Sequence, residues 1–245
     1  MLQRVERARD ILASVTSDDV SHEGFPFGAC RTIEIGSQLV LASRISYVGD
    51  LGWELYVPME QGARLWDILW EAGVPHSLTA CGIGVYGTTG RLEKCYRAYG
   101  AELESEYTIV EAGMQRPKVK EQDFVGKEAH LRHREEEPSA ILCTLTVDDH
   151  TSASGVKRYP LGREPITLRD GTPLTDRKGR RSYVTSAGAG PSVEKYILLA
   201  YLPPEHAVEG SPELAVEYMN ERFPVTVAVA GATPLFDPEN ARIRS

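Results

Sequence analysis

The stretch Arg44 to Pro58, Arg-Ile-Ser-Tyr-Val-Gly-Asp-Leu-Gly-Trp-Glu-Leu-Tyr-Val-Pro, constrains this chain more than any other. Two apolar runs, Leu39 to Tyr47 and Trp53 to Val57, flank Gly49-Asp50-Leu51-Gly52. Alternating apolar residues around a Gly/Asp connection predict a strand, a tight turn and a second strand. A hairpin alone leaves Glu54 unexplained. Between Trp53 and Leu55 a carboxylate loses hydration, at a cost of several kcal/mol unless something donates to it. Two parallel N–H groups on a flat ligand edge would suit its two oxygens. The same spacing also allows Glu54 to alternate outward to water. Tyr47, seven residues earlier, is expected to offer its ring and hydroxyl from the facing strand.

Composition excludes several classes of partner. The 245 residues are 42% hydrophobic and 25% charged, with a net charge of −8. That is ordinary for a globular chain. Acidic and basic residues are interspersed, which argues against a nucleic-acid or anionic-membrane partner, since those are met by a basic face. No apolar run is long enough to span a bilayer. The start, Met-Leu-Gln-Arg-Val-Glu-Arg, lacks the apolar core of a signal peptide, so the expected location is cytoplasmic. Cys30, Cys81, Cys95 and Cys143 are widely spaced and read as buried reduced thiols. His130 and His133 share a helix face but lie in a charge-laced run with no third ligand, so no metal is expected.

Along the chain, Val5, Ala8, Ile11, Leu12 and Val15 have helical spacing, predicting a helix from Gln3 to Val15. A second amphipathic helix is expected from Glu60 to Ala72, closed by Gly73 and Pro75, with Trp66 and Trp70 as core anchors. Gly82 to Tyr99 has a helical pattern yet carries Gly84, Gly87 and Gly90. These glycines suggest either close approach of another backbone or a flat ligand, or a poor helix. Glu93 reads as a tie between a helix end and a loop. Glu135-Glu136-Glu137-Pro138 reads as a linker, giving expected domains of 1–137 and 138–245. Beyond it come short strands: Ile141 to Val147, Pro165 to Leu168, Tyr183 to Thr185, Tyr196 to Tyr201, Leu214 to Tyr218 and Phe223 to Val229. Their turn punctuation predicts a small antiparallel barrel or sandwich. The knot Arg177-Lys178-Gly179-Arg180-Arg181 reads as a solvated hairpin tip, or as a cationic patch for an acidic partner.

The run Tyr-x-Gly-x-x-Gly-Trp-Glu-Leu-Tyr-x-Pro (Tyr47 to Pro58), followed by Arg91-Leu-Glu-Lys-Cys-Tyr-Arg-Ala-Tyr-Gly100, resembles the aminomethyltransferase (glycine cleavage T-protein) family. It is most similar to the folate-binding region of dimethylglycine and sarcosine dehydrogenases and oxidases. Val184-Thr185-Ser186 and Pro234-Leu-Phe-Asp-Pro238 extend the resemblance, with Ala187 where the family has glycine. The resemblance implies an α+β fold: the C-terminal portion of an aminomethyltransferase-like folate-binding domain, then a small antiparallel β-barrel. It implies that Glu54 holds the aminopyrimidine edge of tetrahydrofolate and that Tyr47 contacts the same cofactor. A family arginine that contacts folate or substrate falls on Gly87, so that contact is lost. Arg91 remains as the cation to approach the cofactor tail, although the Arg-Leu-Glu-Lys run also has a structural look.

The family's catalytic aspartate belongs to a segment ahead of the region matching Leu2-Gln3, so no catalytic residue is assigned, Asp50 included. The resemblance therefore implies a subunit of a tetrahydrofolate-dependent one-carbon transfer or oxidative demethylation system. The donor would be a methylated amine like dimethylglycine or sarcosine, or a methoxy compound, and the product 5,10-methylenetetrahydrofolate. A second polypeptide, such as a flavoprotein carrying FAD, would supply the missing segment. The alternatives are a folate-binding or regulatory subunit without chemistry, or a scaffold that binds no folate.

Overall fold

In a computed structural model, residues 7–115 and 118–245 are described. They form two compact units: Met1–Tyr86 with Asp237–Ser245, and Gly87–Phe236. The boundary expected after Glu137 lies inside the second unit.

In the first unit, helix α1 spans Ala8–Val15 and buries Ile11 and Leu12, two neighbours on its apolar face. The remainder of the expected helix, from Gln3 to Glu6, lies outside the described residues. Strands β1 (Cys30–Ile35), β2 (Gln38–Ser43) and β3 (Glu54–Tyr56) form an antiparallel sheet in that order. Ile33, Ile35, Val40 and Ala42 point inward onto Leu12, Val20, Phe25 and Leu65, while Leu39 and Leu41 face out. The period-2 pattern selects that face. Helix α2 (Gly62–Gly73) follows a 3-10 turn at Met59–Gln61 and contributes Leu65 to this core.

Two expectations fail here. The connection between β2 and β3 is a ten-residue loop, Arg44 to Trp53, and not a tight turn. Arg44 opens the loop and anchors it: the side chain is 1% exposed, donates to Phe25 O at 2.9 Å and lies over the Trp53 ring at 5.6 Å. Asp50, further along the loop, is fixed by Arg242 Nε at 2.8 Å. Tyr47 consequently sits on the loop and not on a facing strand. Trp66 and Trp70 are not core anchors. They stack on each other at 6.0 Å and are 56% and 37% exposed.

In the second unit, strands β4 (Ile141–Val147), β5 (Ile166–Leu168), β6 (Val184–Gly190), β7 (Lys195–Leu202), β8 (Leu214–Tyr218) and β9 (Glu221–Ala230) form an antiparallel sheet. Their order is β5-β8-β9-β4-β7-β6. Bonds from Val184 N to Glu164 O (2.8 Å) and from Ile166 N to Ser182 O (3.0 Å) return β6 to β5, so the sheet closes as the expected barrel. Closure removes the free edges.

Cys143, Leu145, Leu198, Ala200, Leu214, Val225 and Val227 fill the interior. The outward residues Leu142, Ile197, Leu199 and Tyr201 are also buried, because Leu92, Cys95, Tyr107 and Ala112 cover them. This is why β7 reads as a nearly continuous apolar run from Tyr196 to Leu202. The covering segment contains a π-helical stretch, Val85–Gly90, which continues into the short helix α3 (Arg91–Glu93). Of the expected helix from Gly82 to Tyr99, this shorter and wider-wound run is what forms. Helix α4 (Lys127–Glu135) precedes the barrel.

Candidate functional site

Glu54 opens β3, paired with Ser43 of β2. Its neighbours Trp53 and Leu55 turn to the opposite face and line a groove of about 390 Å³ with Ile11, Leu12, Trp66 and Trp70. Strand alternation thus removes the carboxylate from the large apolar side chains beside it in sequence and leaves it half-exposed. Its donors are phenols. Tyr86, on the π-helical stretch, donates its hydroxyl to Glu54 Oε1 at 2.6 Å. Tyr56, two residues along β3 and therefore on the same face, donates to Oε2. The Tyr47 ring packs against Tyr86 with centroids 5.4 Å apart. Three tyrosines and one carboxylate form a continuous cluster.

The phenol bonds from Tyr56 and then Tyr86 hold the Glu54 carboxyl below its ordinary range, against a smaller opposing effect of burial. Burial first, and the carboxylate second, push the Tyr86 phenol well up. Glu54 is therefore an anion and its two partners are neutral donors at neutral pH. Each carboxylate oxygen accepts one phenol and retains a second acceptor position.

Tyr47 and Glu54 are brought into one cluster through Tyr86. Arg91 belongs to the second unit, and its guanidinium is fully engaged there. Nε donates to Gly87 O at 2.8 Å, Nη1 pairs with Glu102 Oε2 at 2.9 Å, and Nη2 donates to Ser186 Oγ at 2.6 Å. Glu102 also accepts from Thr185 Oγ1 at 2.7 Å. A β-bulge between Val184 and Ser186 turns both hydroxyl residues outward onto this pair. Arg91 ties the covering segment to the barrel through these bonds.

Glu93 behaves as expected: its Oε1 accepts Ser192 N at 2.6 Å. Arg180 of the basic knot is 12% exposed and turned inward. It ion-pairs with Glu111, donates to Asp176 Oδ2 at 2.7 Å and lies 4.3 Å from the Tyr107 ring centre. One of the four cations of the expected patch is thus spent inside the fold. Among the described residues, no group of three or more His, Cys, Asp or Glu side chains is placed to hold a metal. No described helix is long and apolar enough to cross a membrane.

Tyr56 and Tyr86 were not singled out by the sequence. Tyr56 was within reach, since residues i and i+2 of a strand share a face. Tyr86 was not, because a contact across 32 positions from a glycine-rich helix has no local signal.

Residues 6–120 match the family described as the GCVT N-terminal domain, and residues 152–237 match the glycine cleavage T-protein C-terminal barrel domain. The mitochondrial dimethylglycine dehydrogenase of Mus musculus is 32% identical over 245 residues, 97% of this chain and 26% of that protein. The aminomethyltransferase of Bacillus mycoides (strain KBAB4) is 32% identical over 237 residues, 94% of this chain and 58% of that protein. The chain thus spans about a quarter to just over half of these relatives. The crystal structure of the glycine cleavage system aminomethyltransferase T from Bartonella henselae superposes with a TM-score of 0.74 at 19% identity, covering 94% of this chain and 57% of that one. With a barrel matched to one family description and the Tyr47–Glu54 motif inside the other, this chain belongs to the GCVT family of aminomethyltransferase domains with a C-terminal barrel.

Proposed function

We propose that this chain is the folate-holding part of a tetrahydrofolate-dependent one-carbon transfer system that demethylates a small methylated amine or methoxy compound. The observation that carries the reading is Glu54: an ionised, half-exposed carboxylate with two fixed oxygens and a spare acceptor position on each. That arrangement fits a flat ring edge presenting two parallel N–H donors, such as the aminopyrimidine edge of a pterin. Tyr47 and Tyr86 supply aromatic surface beside it. Bound tetrahydrofolate would accept the one-carbon unit released from the donor. The chain's own contribution is orientation: holding one reactant in place removes several kcal/mol of entropic cost from a bimolecular step.

This chain covers 58% of the length of the Bacillus mycoides relative, so the whole activity of such a relative is not carried over to it. We place the acid-bearing remainder on a second polypeptide, with FAD confined to a flavoprotein partner if one takes part. All four cysteines are free thiols, which suits a reducing compartment such as the cytoplasm. The second reading is a folate-binding or regulatory module without chemistry of its own. It is favoured by Asp50, the acid nearest the motif in sequence, being committed to Arg242.

Tetrahydrofolate binding, followed by titration calorimetry, tests the proposal. Saturable binding to the native chain and its loss in Glu54→Ala support it. Equal binding in both, or none even when candidate partner chains are added, overturns it.

A further inference from the structure

Glu54 is held at both oxygens by side chains from different parts of the first unit. Tyr56 approaches along β3 and bonds Oε2, while Tyr86 reaches Oε1 at 2.6 Å from the π-helical stretch. A carboxylate on a short strand otherwise rotates about its last two side-chain bonds, and freezing that rotation has an entropic cost on ligand binding. With both oxygens tethered the plane of the carboxylate is set in advance, and the two remaining acceptor positions point in fixed directions. Two-point tethering goes beyond what burial of a partly exposed glutamate requires. π-helical turns are uncommon and recur at functional sites, and here the turn carries the residue that completes the tether.

We infer that Tyr56 and Tyr86 are positioning residues that fix Glu54 as an oriented, ionised carboxylate for a ligand with paired N–H donors. The inference deepens the folate reading and rests on it for the identity of the ligand, but not for the state of the carboxylate. The groups around Glu54 are Tyr56 on its own strand, Tyr86 on the π-helical stretch and, behind Tyr86, Tyr47 on the loop. Cys30 of β1 acts weakly on the Tyr56 phenol. No cation pairs with Glu54 among the described residues, so the two phenols account for its acidity.

The test uses the full chain labelled with 13C at glutamate carboxyls, with the Glu54 signal identified by its loss in Glu54→Gln. The carboxyl is titrated by NMR in the native chain, in Tyr56→Phe, in Tyr86→Phe and in the double variant. Phenylalanine keeps the ring and removes only the donor, and an unchanged melting temperature confirms that the fold is retained. The expected result is an upward move of the Glu54 titration in each single variant and a larger one in the double variant. Tetrahydrofolate affinity at neutral pH is expected to fall about tenfold per lost phenol bond. The acid limb of binding should move to higher pH together with the carboxyl titration.

A Glu54 titration untouched by both substitutions overturns the inference and leaves the folate reading standing. An unchanged affinity and acid limb also overturn it if Glu54→Gln does abolish binding. If Glu54→Gln leaves folate binding intact, the folate reading falls, and the tether is then judged on the titration alone.

Discussion

Nη1 of Arg91 stands 2.9 Å from Oε2 of Glu102, with 6% and 0% of the two side chains exposed. Neither group has water to fall back on. Removing one partner leaves an uncompensated buried charge, which typically costs 3–5 kcal/mol. Arg91→Met is therefore expected to destabilise the second unit by about 3–5 kcal/mol. A reduced urea midpoint checks this. Glu102→Gln should cost a similar amount, because the amide oxygen keeps a bond to Arg91 but leaves its buried charge uncompensated.

A second buried pair provides a pH dependence. Burial pushes the Glu111 carboxyl up, but the bonds from Arg180 and Thr108 N outweigh it, and the net direction is down from 4.5. A carboxyl depressed in the folded state stabilises above its unfolded value and loses that contribution as pH falls through the folded one. Glu111→Gln is expected to cost about 2–3 kcal/mol at neutral pH, the Arg180 side being partly solvated. The gap between native and variant stability should hold down to about pH 4.5 and shrink below it. Chemical unfolding across that range measures it.

Gly188 lies on β6, against the covering segment. A Cβ there would meet Leu92 Cδ1 at 2.8 Å and Thr88 Cγ2 at 3.1 Å. Gly188→Ala should therefore cost about 1–3 kcal/mol through overpacking, and Gly188→Val more. Thermal melts of the two variants give the ranking. Ala and Val tolerated alike would mean that the covering segment yields.

The cysteines should divide into two classes. Against the expectation of four buried thiols, Cys30 and Cys81 are exposed, whereas Cys95 and Cys143 are buried. Burial pushes the Cys143 thiol up to about 12 and the Cys95 thiol up as well. Since the thiolate is the reactive form, a disulfide-exchange reagent should modify two thiols quickly at neutral pH and four only in denaturant. Mass spectrometry of the labelled peptides identifies which.

Loss of Glu54 should act on binding and not on folding. It accepts two phenols on a half-exposed face, so Glu54→Ala leaves the melting temperature nearly unchanged. Tetrahydrofolate affinity is expected to drop on the order of 100-fold, the loss of two charge-assisted bonds. Calorimetry on both proteins checks this.

Much of this molecule was legible in sequence, for physical reasons that can be named. The barrel strands announced themselves because turn residues bound each one, and β4 matched its expected limits, Ile141–Val147. Glu54 stood out because its residue type conflicts with its neighbours. What was lost depended on contacts distant in sequence. The expected tight turn is instead a long loop tied down at Arg44 by Phe25 and at Asp50 by Arg242, and Tyr86 finds Glu54 across 32 positions. Trp66 and Trp70 misled because helical spacing shows that a face is apolar, not that anything covers it. Arg91 sat in the right motif, but its partners Glu102 and Ser186 could be known only from the fold.

The outer faces of β4 and β7 are dry because Leu92, Cys95, Tyr107 and Ala112 lie on them. The barrel is consequently not a cassette that can be cut out at the acidic linker. A fragment starting at Pro138 would present Leu142, Ile197, Leu199 and Tyr201 to solvent as one continuous greasy stripe, and would be expected to aggregate on expression. The smallest excisable piece that keeps this stripe covered begins near Gly87, and any gene fusion or recombination joint that spares the barrel must fall upstream of the π-helical stretch's last turn.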